Sequence, residues 1–341
     1  MLAARFYDPF KDLKLEQIPV PSYGDNDVLV RIRASGICGS EMHVWRGADT
    51  SGFFPRTLGH EGAGVVEKVG KNVRSVKTSD RVLLDYNVTC GECRFCRDGR
   101  ENLCVKLEYI GYQRDGTYQE YVAAPERNAV PLPENVSFEE GAIISCGVVT
   151  AFHAVKKAEI GIGDRVVIIG LGGVGLHGIQ FAKMSGASEI MAVDLLESKL
   201  RLASELGADY TVNPKNEDFV RKARDLWGGA DVGFEFIGLP NTIKDMIRSL
   251  GKGGKAMIVG MCFKDVTFNP EFDFRFLEGQ IRGSADHTVE DLRKLLELVS
   301  SGKVDLSKSI THKLKLEEVN KGFRMLDTKE DNPNRIVLLQ Q

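Results

Sequence analysis

The sequence predicts a two-part α/β protein, in which a strand-rich β part is interrupted by a doubly wound parallel sheet. Three observations predict it. After Cys146 the hydrophobic pattern changes from short apolar runs between turn residues to alternating strand-like and helix-like segments. A glycine-rich motif at residues 170–175 follows one such strand and opens a helix. Four cysteines crowd into residues 90–104.

The chain has 341 residues, which at roughly 100–200 residues per domain suggests two domains. Hydrophobic residues make up 43% and charged residues 27%, the balance of a soluble globular protein. A net charge of −3 gives no positive field to attract nucleic acid. No apolar run of about 18 residues stands out, so no membrane span is expected. The start, Met1-Leu2-Ala3-Ala4-Arg5-Phe6-Tyr7, lacks a basic region followed by an apolar core. No secretory signal is therefore expected, and the expected location is cytoplasmic. Clustered cysteines in such a chain read as metal ligands before disulfides.

Residues 1–146 read as strands with long loops. Val28–Ile32, Gly62–Val66 and Arg81–Leu84 are short apolar runs, punctuated by Pro19, Pro21, Gly24, Pro131 and Pro133. Arg165–Ile169 then reads as a buried strand, Val174–Met184 as a helix, Glu189–Val193 as the next strand and Glu197–Leu206 as a helix stopped by Gly207. Strands are expected again at Asp231–Phe236 and Ala256–Val259, with the chain leaving this unit near Ile281. Thr288-Val289-Glu290-Asp291 resembles a helix-capping box ahead of Leu292–Val299. Arg335–Leu339 reads as a closing strand.

Cys90, Cys93, Cys96 and Cys104 follow the spacing C-x2-C-x2-C-x7-C. The short spacings let one turn present several sulfurs to one ion, and four thiolates match a closed tetrahedral zinc site. Disulfides and an iron–sulfur cluster use the same residues. With all four ligands supplied by cysteine, a zinc there has no open position and would be structural.

Gly170-Leu171-Gly172-Gly173-Val174-Gly175 stands between a strand and a helix, and Asp194 lies 19 residues beyond Gly175 at the end of the next strand. This is a dinucleotide fingerprint in its structural context. The glycines permit a tight turn and close approach to a pyrophosphate, and the helix N-terminus offers unpaired N–H groups. Asp194 would accept from both adenosine-ribose hydroxyls and repel a 2′-phosphate, which favours NAD. Arg201 lies two turns into the following helix. The alternative is a glycine turn with no ligand.

Cys38-Gly39-Ser40-Glu41-Met42-His43, Gly59-His60-Glu61-Gly62 and Ser145-Cys146-Gly147 are individually weak signals. A lone cysteine is usually a small buried hydrophobe. Two cysteines and a histidine with one open position form a known catalytic zinc arrangement, but spacing alone does not bring these three together. Cys262 has no assigned role.

Taken together, Gly59–Val66, the four-cysteine loop, Gly170–Gly175 and Arg335-Ile336-Val337 make the chain resemble the zinc-containing medium-chain dehydrogenases, the alcohol dehydrogenase branch in particular, over essentially its whole length. The resemblance implies a GroES-like β catalytic domain, residues 1–146 and 285–341, holding both metals. It implies an inserted Rossmann domain, residues 147–284, with the active site in the cleft between. It implies two zinc ions per chain and NAD, with Cys38, His60 and Cys146 on the catalytic zinc and Glu61 behind it. Ser40 and His43 match a proton relay. Thr150 matches a nicotinamide contact, Lys199 a contact to the adenosine ribose and Arg335 one to the pyrophosphate. The implied reaction takes an alcohol, made acidic by zinc, to an aldehyde or ketone by hydride transfer to NAD, in a homodimer or homotetramer.

Two positions depart from the branch. Gly39 stands where many relatives carry Arg or His, so that pyrophosphate contact is absent. Glu41 replaces the commoner Asp behind the zinc-bound histidine, so its longer side chain must repack. Cys38-Gly39-Ser40 resembles the polyol and threonine dehydrogenase branches, whereas Cys146 favours the alcohol branch. Trp45 and Tyr86 match positions that line the pocket, and an aromatic, largely apolar pocket suits an uncharged alcohol. The rival readings are a polyol or threonine dehydrogenase, a zinc-free enoyl or quinone reductase, a zinc-stabilised nucleic-acid-binding module and a catalytically silent NAD-binding sensor.

Overall fold

In the computed structural model, which describes residues 1–48 and 52–340, the chain forms two compact units. One comprises Met1–Val149 with Asp286–Gln341, and the other comprises Thr150–Ala285.

The first unit is built on the long strand Asp27–Ile37. Val28, Val30 and Ile32 are fully buried and pack with Val66, Val82 and Leu84, while Arg31 and Arg33 reach toward solvent. This is the period-2 pattern of a strand with one face in a core. Three strands pair antiparallel with it: Glu61–Val69, Tyr121–Pro125 and Arg335–Leu339. Arg81–Leu84 and Ala129–Pro131 extend the sheet on one side, and Ile310–Lys315 on the other, making seven strands. Register decides what this sheet does. Gly36 lies opposite Glu61 and also opposite Val337, and Ile37 lies opposite Ile336. The end of one strand and the starts of two others therefore meet at one edge, where Cys38, His60, Glu61 and Arg335 follow or precede the paired residues.

The unit is not all strand, as residues 1–146 were expected to be. It carries the helices Gly39–Trp45, Arg94–Arg97 and Phe138–Ile143. The first two are too short for an apolar period to show in the sequence. The third opens on a Ser137/Glu140 capping box. A π-helical turn at Ile144–Val148 joins it to the helix Val149–Ala158. Among the described residues, this run, Phe138–Ala158, is the one helix long and apolar enough to cross a membrane by length and composition, contrary to the expectation that no such run exists. Two small turn residues, Ser145 and Gly147, disguised it. About 67% of its most apolar window is buried, which marks it as a core helix.

The second unit is a six-stranded, wholly parallel sheet. Numbered in chain order, its strands Arg165–Ile169, Glu189–Val193, Tyr210–Val212, Ala230–Glu235, Leu250–Ile258 and Gln280–Gly283 stand in the order 3-2-1-4-5-6. That is the doubly wound Rossmann order, with its ligand crevice where the strand order reverses, at the carboxyl end of the first strand. The chain leaves this unit after Ala285, a few residues beyond Ile281. Gln280–Gly283 pairs with Leu250–Ile258 as the last strand, and its polar sequence reflects an exposed edge position. The return helix Val289–Ser300 is capped by Thr288 and Asp291, the box read from the sequence.

Candidate active site

Cys38 ends the strand Asp27–Ile37 and caps the helix Gly39–Trp45. Three residues on, Glu41 turns its carboxylate back, and Oε2 accepts the Cys38 N–H at 2.7 Å. The other oxygen, Oε1, accepts the His60 N–H at 3.1 Å and lies 2.7 Å from His60 Nδ1. The Nδ1 contact is at ion-pair distance but not aligned as a hydrogen bond. Cys146 comes from the middle of the π-helical turn, a local widening that recurs at functional sites.

These elements bring the donor atoms of Cys38, His60, Glu61 and Cys146 within 4.8 Å of one another, all four buried. A tetrahedral zinc with arms of about 2.0–2.3 Å needs donors roughly 3.5–3.8 Å apart, so the cluster is close to binding geometry. Glu61 is wholly buried and pairs through Oε2 with Arg335, itself 2% exposed. Its other oxygen, Oε1, has no partner among the described residues. A buried carboxylate oxygen left open beside two sulfurs and an imidazole fits a divalent metal. Room for the pair is made by glycine: a side chain at Gly36 would collide with the Glu61 carboxylate, and one at Gly147 would meet the Arg335 guanidinium at 2.8 Å.

Burial pushes the Glu61 carboxyl up to about 8, against the lowering pull of Arg335. The hydrogen bond from Cys146 lowers Cys38 well below the usual thiol range, helped by His60, while Cys146 is raised by the Cys38 thiolate and by burial. Burial opposes charge on His60, but the Glu41 carboxylate and the Cys38 sulfur together offset it and raise the imidazole.

The four-cysteine loop closes a hairpin between the strands Asn87–Val88 and Glu108–Tyr109. Cys93 and Cys96 sulfurs are 3.5 Å apart, Cys104 and Cys90 3.5 Å, and Cys90 and Cys96 3.9 Å. These are edges of a tetrahedron around one ion, roughly 3.8 Å for zinc–sulfur arms of ~2.3 Å, and far too long for disulfide bonds. Backbone N–H groups of Cys96 and Val105 lower Cys93 to about 6, whereas burial and the neighbouring sulfurs push Cys96 up to about 12. No ligand beyond the four cysteines is needed to close this set.

In the second unit Gly170 adopts φ +90° directly after the first strand, a left-handed turn that glycine alone accepts without strain. A side chain at Gly175 would strike the Gly170 carbonyl, and the Cβ position of Gly172 meets nothing within 4 Å. Gly173 and Val174 complete the loop, and the helix begins at Gly175. Asp194 Oδ2 accepts the Leu171 N–H at 2.8 Å and Oδ1 the Leu196 N–H at 3.0 Å. Each oxygen keeps a further lone pair for another donor.

Comparison with known proteins agrees with this geometry. Residues 24–134 match the family model of the alcohol dehydrogenase GroES-like domain, and residues 173–301 match that of the zinc-binding dehydrogenases. An alcohol dehydrogenase of Geobacillus stearothermophilus is 36% identical over 93% of each chain. The chain belongs to the zinc-containing medium-chain dehydrogenase family. An L-threonine 3-dehydrogenase of Rhizobium etli is 33% identical to this dehydrogenase over 97% of its length and 96% of the relative's. A zinc-binding dehydrogenase of Sinorhizobium meliloti, solved with NADP, superposes with a TM-score of 0.89 at 31% identity over 99% of both chains.

The other residues expected at the site are placed as follows. Ser40 lies inside the first turn of Gly39–Trp45, not at its cap, and its buried Oγ has no partner among the described residues. His43, half-buried, is three residues further on the same helix. Thr150 is half-buried near the start of Val149–Ala158, and Lys199 is buried on Glu197–Glu205. Arg335 was expected on a pyrophosphate; here its guanidinium pairs with Glu61. Trp45 packs against Phe10 and Phe323 and donates its indole N–H to Lys11, so it serves the core.

Tyr86 does adjoin the metal cluster. Its ring meets the His60 ring edge-on at 4.9 Å, and its hydroxyl lies 4.0 Å from Cys146 Sγ. The wall it forms is not the apolar one expected. The hydroxyl is bonded to Asp286, which also holds Tyr109. Sequence reasoning missed Asp286 and Tyr109, because a pairing across 200 residues leaves no local pattern.

Proposed function

We propose that this dehydrogenase is a two-zinc enzyme that moves a hydride between an uncharged primary or secondary alcohol and NAD. The observation that carries the reading is the buried convergence of Cys38, His60 and Cys146 with the open oxygen of Glu61. Zinc held there supplies Lewis acidity at the alcohol oxygen, and the nicotinamide supplies the hydride acceptor.

The chain's own residues do the rest. Glu41 fixes the orientation of His60 and, through the Cys38 N–H, of the loop that carries Cys38. Glu61 offers Oε1 while Arg335 balances its charge. Ser40 Oγ accepts the hydrogen bond of the departing proton and His43 carries it outward. The glycine loop and the helix Gly175–Met184 receive the diphosphate, Asp194 takes the ribose hydroxyls, and Thr150 and Lys199 contact the nicotinamide and adenosine ends. Cys90, Cys93, Cys96 and Cys104 hold the second, structural zinc.

A second reading, a threonine or polyol dehydrogenase, is favoured by the Cys38-Gly39-Ser40 opening and by the R. etli relative. One experiment weighs both: metal analysis of the folded enzyme, then an absorbance screen at 340 nm with NAD and NADP in parallel. The panel spans primary, secondary and aromatic alcohols, polyols and threonine. Turnover of monoalcohols with NAD at two zinc ions per chain is expected. Turnover of threonine or polyols alone would favour the second reading. Binding of NAD without turnover of any substrate would leave a silent sensor.

The working form is a homo-oligomer built on the exposed edge strand Gln280–Gly283, beside which Phe272 and Phe276 stand 71% and 63% exposed. An unpaired edge with aromatic neighbours is a surface that a second copy can extend as a continuous sheet. The expected compartment is the cytoplasm, where unpaired thiols persist.

A further inference from the structure

Glu235 is a wholly buried carboxylate that the reaction itself does not use. It ends the strand Ala230–Glu235 and lies opposite Ile169, the residue before Gly170. Among the described residues no cation pairs with it. A buried carboxylate without a counter-ion is costly unless hydrogen bonds replace its water.

Those bonds all come from the turn after the strand and the helix it opens. Oε1 accepts the Ile237 N–H at 3.0 Å, the Gly238 N–H at 2.8 Å and the Thr242 hydroxyl at 2.7 Å. Oε2 accepts the Gly238 N–H at 3.0 Å. The main-chain carbonyl of Glu235 accepts the Val259 and Gly260 N–H groups at 3.0 and 2.9 Å. One residue thus fixes the carboxyl ends of the fourth and fifth strands, beside the point where the strand order reverses.

The same turn is packed against the glycine loop. Phe236 donates its N–H to the Ile169 carbonyl at 2.9 Å. Its ring lies against the start of the helix Gly175–Met184, where a side chain at Gly175 or Gly178 would meet it at 3.1 or 3.4 Å. Ile237 covers Gly170, whose Cβ position lies 2.5 Å from Ile237 Cγ1. A shift of this turn would open space beside both ends of the loop. A loop that binds an anion through its own N–H groups depends on being held in shape before the ligand arrives.

We propose that Glu235 is a positioning residue for the cofactor: its carboxylate holds Phe236, Ile237 and Gly238 against Gly170 and Gly175, and so sets the affinity of the glycine loop for a dinucleotide diphosphate. The proposal rests on the dehydrogenase reading for the identity of that ligand. A brace on the loop serves NAD and NADP alike, unlike the role proposed for Asp194, which separates them at the ribose.

The test is calorimetric titration of the zinc-loaded enzyme with NAD and with NADP, well below each variant's melting temperature, beside KM and kcat. Glu235→Ala strands the Ile237 and Gly238 N–H groups. It should raise both dissociation constants by ~10-fold or more, the scale of lost hydrogen bonds to a charged group, with their ratio unchanged. KM for the cofactor should rise by more than kcat falls. Glu235→Gln keeps the shape and one carbonyl oxygen, and should recover most of the loss. Thr242→Val removes one donor and leaves the carboxylate; it should weaken both cofactors less, and it carries the test if Glu235→Ala does not fold. Lower melting temperatures with wild-type dissociation constants would mean that Glu235 only supports the fold, and would overturn the proposal. Loss of one cofactor alone, the mark of a direct contact, would overturn it too. A wild-type enzyme that binds neither cofactor would overturn the dehydrogenase reading, and the proposal with it, before any variant is compared.

Discussion

Glu41 grips two of the buried donors at once: Oε1 stands 2.7 Å from His60 Nδ1, and Oε2 accepts the Cys38 N–H at 2.7 Å. The extra methylene relative to aspartate is taken up by the reach from the first helical turn back to its own cap, so the longer side chain keeps its contact with the histidine. Substituting Gln preserves the shape and removes the charge. Glu41→Gln is expected to weaken metal retention at the Cys38/His60/Cys146 set by ~10–100-fold, the range for groups that orient a metal ligand. Zinc release to a chromophoric chelator reads this directly, with the four-cysteine site as internal control. Identical release from both proteins would remove Glu41 from the site's support.

The two metal sets predict opposite phenotypes. Cys93→Ser opens the hairpin loop that also anchors Val289 through Glu101. It should lose one zinc per chain and lower the melting temperature by roughly 5–10 °C, because a structural metal contributes folding free energy. Cys146→Ser should lose the other zinc and all turnover while the melting temperature of the zinc-saturated protein falls less. Elemental analysis beside calorimetry separates them. One zinc per chain in fully folded, active wild-type enzyme would refute the two-site scheme.

Asp194, proposed as a wall of the cofactor site, also braces the glycine loop, since it accepts the Leu171 and Leu196 N–H groups. Asp194→Ala should therefore raise the KM for NAD by ~10-fold or more and narrow the preference over NADP, as one carboxylate and its charge are removed together. Asp194→Asn keeps one acceptor and should fall between. The S. meliloti relative was solved with NADP, so the ratio of kcat/KM for the two cofactors in the unmodified enzyme is the decisive number. A ratio near one would contradict the role given to Asp194.

Legibility in the sequence followed the range of the interaction. The glycine loop and the four cysteines are local patterns, and Asp194 follows the loop by one helix and one strand, so all three could be read before any fold was known. Cys38, His60 and Cys146 meet only because Gly36 pairs with Glu61 and because a π-helical turn carries Cys146. Nothing in the spacing encodes that, and only the family resemblance pointed to it. Arg335 and Asp286 were harder still. Arg335 has the residue type for a phosphate, and its engagement by a buried glutamate depends on two glycines that leave room. Asp286 lies in a return segment with no periodicity, and its partners lie 200 and 177 residues away.

The exposed edge strand makes the oligomer testable. Phe276→Asp places a charge beside Gln280–Gly283 and should shift the enzyme toward a smaller species, while Phe10→Asp, equally exposed but in the other unit, should not. Sedimentation velocity at matched concentrations distinguishes them. A wild-type protein that sediments as a monomer at micromolar concentration would end the proposal.

The proton path carries the most specific expectation. Ser40 does not cap its helix, because Cys38 occupies that position. Its hydroxyl is buried with no partner among the described residues, and such a group costs stability unless something binds it. One hydroxyl can accept the proton's hydrogen bond while donating another, and His43 stands one turn further toward solvent on the same helix. Ser40→Ala should nearly abolish alcohol oxidation and, by removing an unsatisfied group, leave the melting temperature unchanged or slightly higher. A residue that only packed would behave the other way. His43→Gln should slow oxidation by ~10-fold, the lower end for general acid–base groups, since water can substitute in part. The deficit should be largest near neutrality and shrink toward pH ~10, where hydroxide can take the proton itself, and added imidazole should restore part of the rate. The measurement is the pH–rate profile of the three proteins with one alcohol. Parent-like rates and pH dependence in both variants would show that Ser40 and His43 only shape the helix.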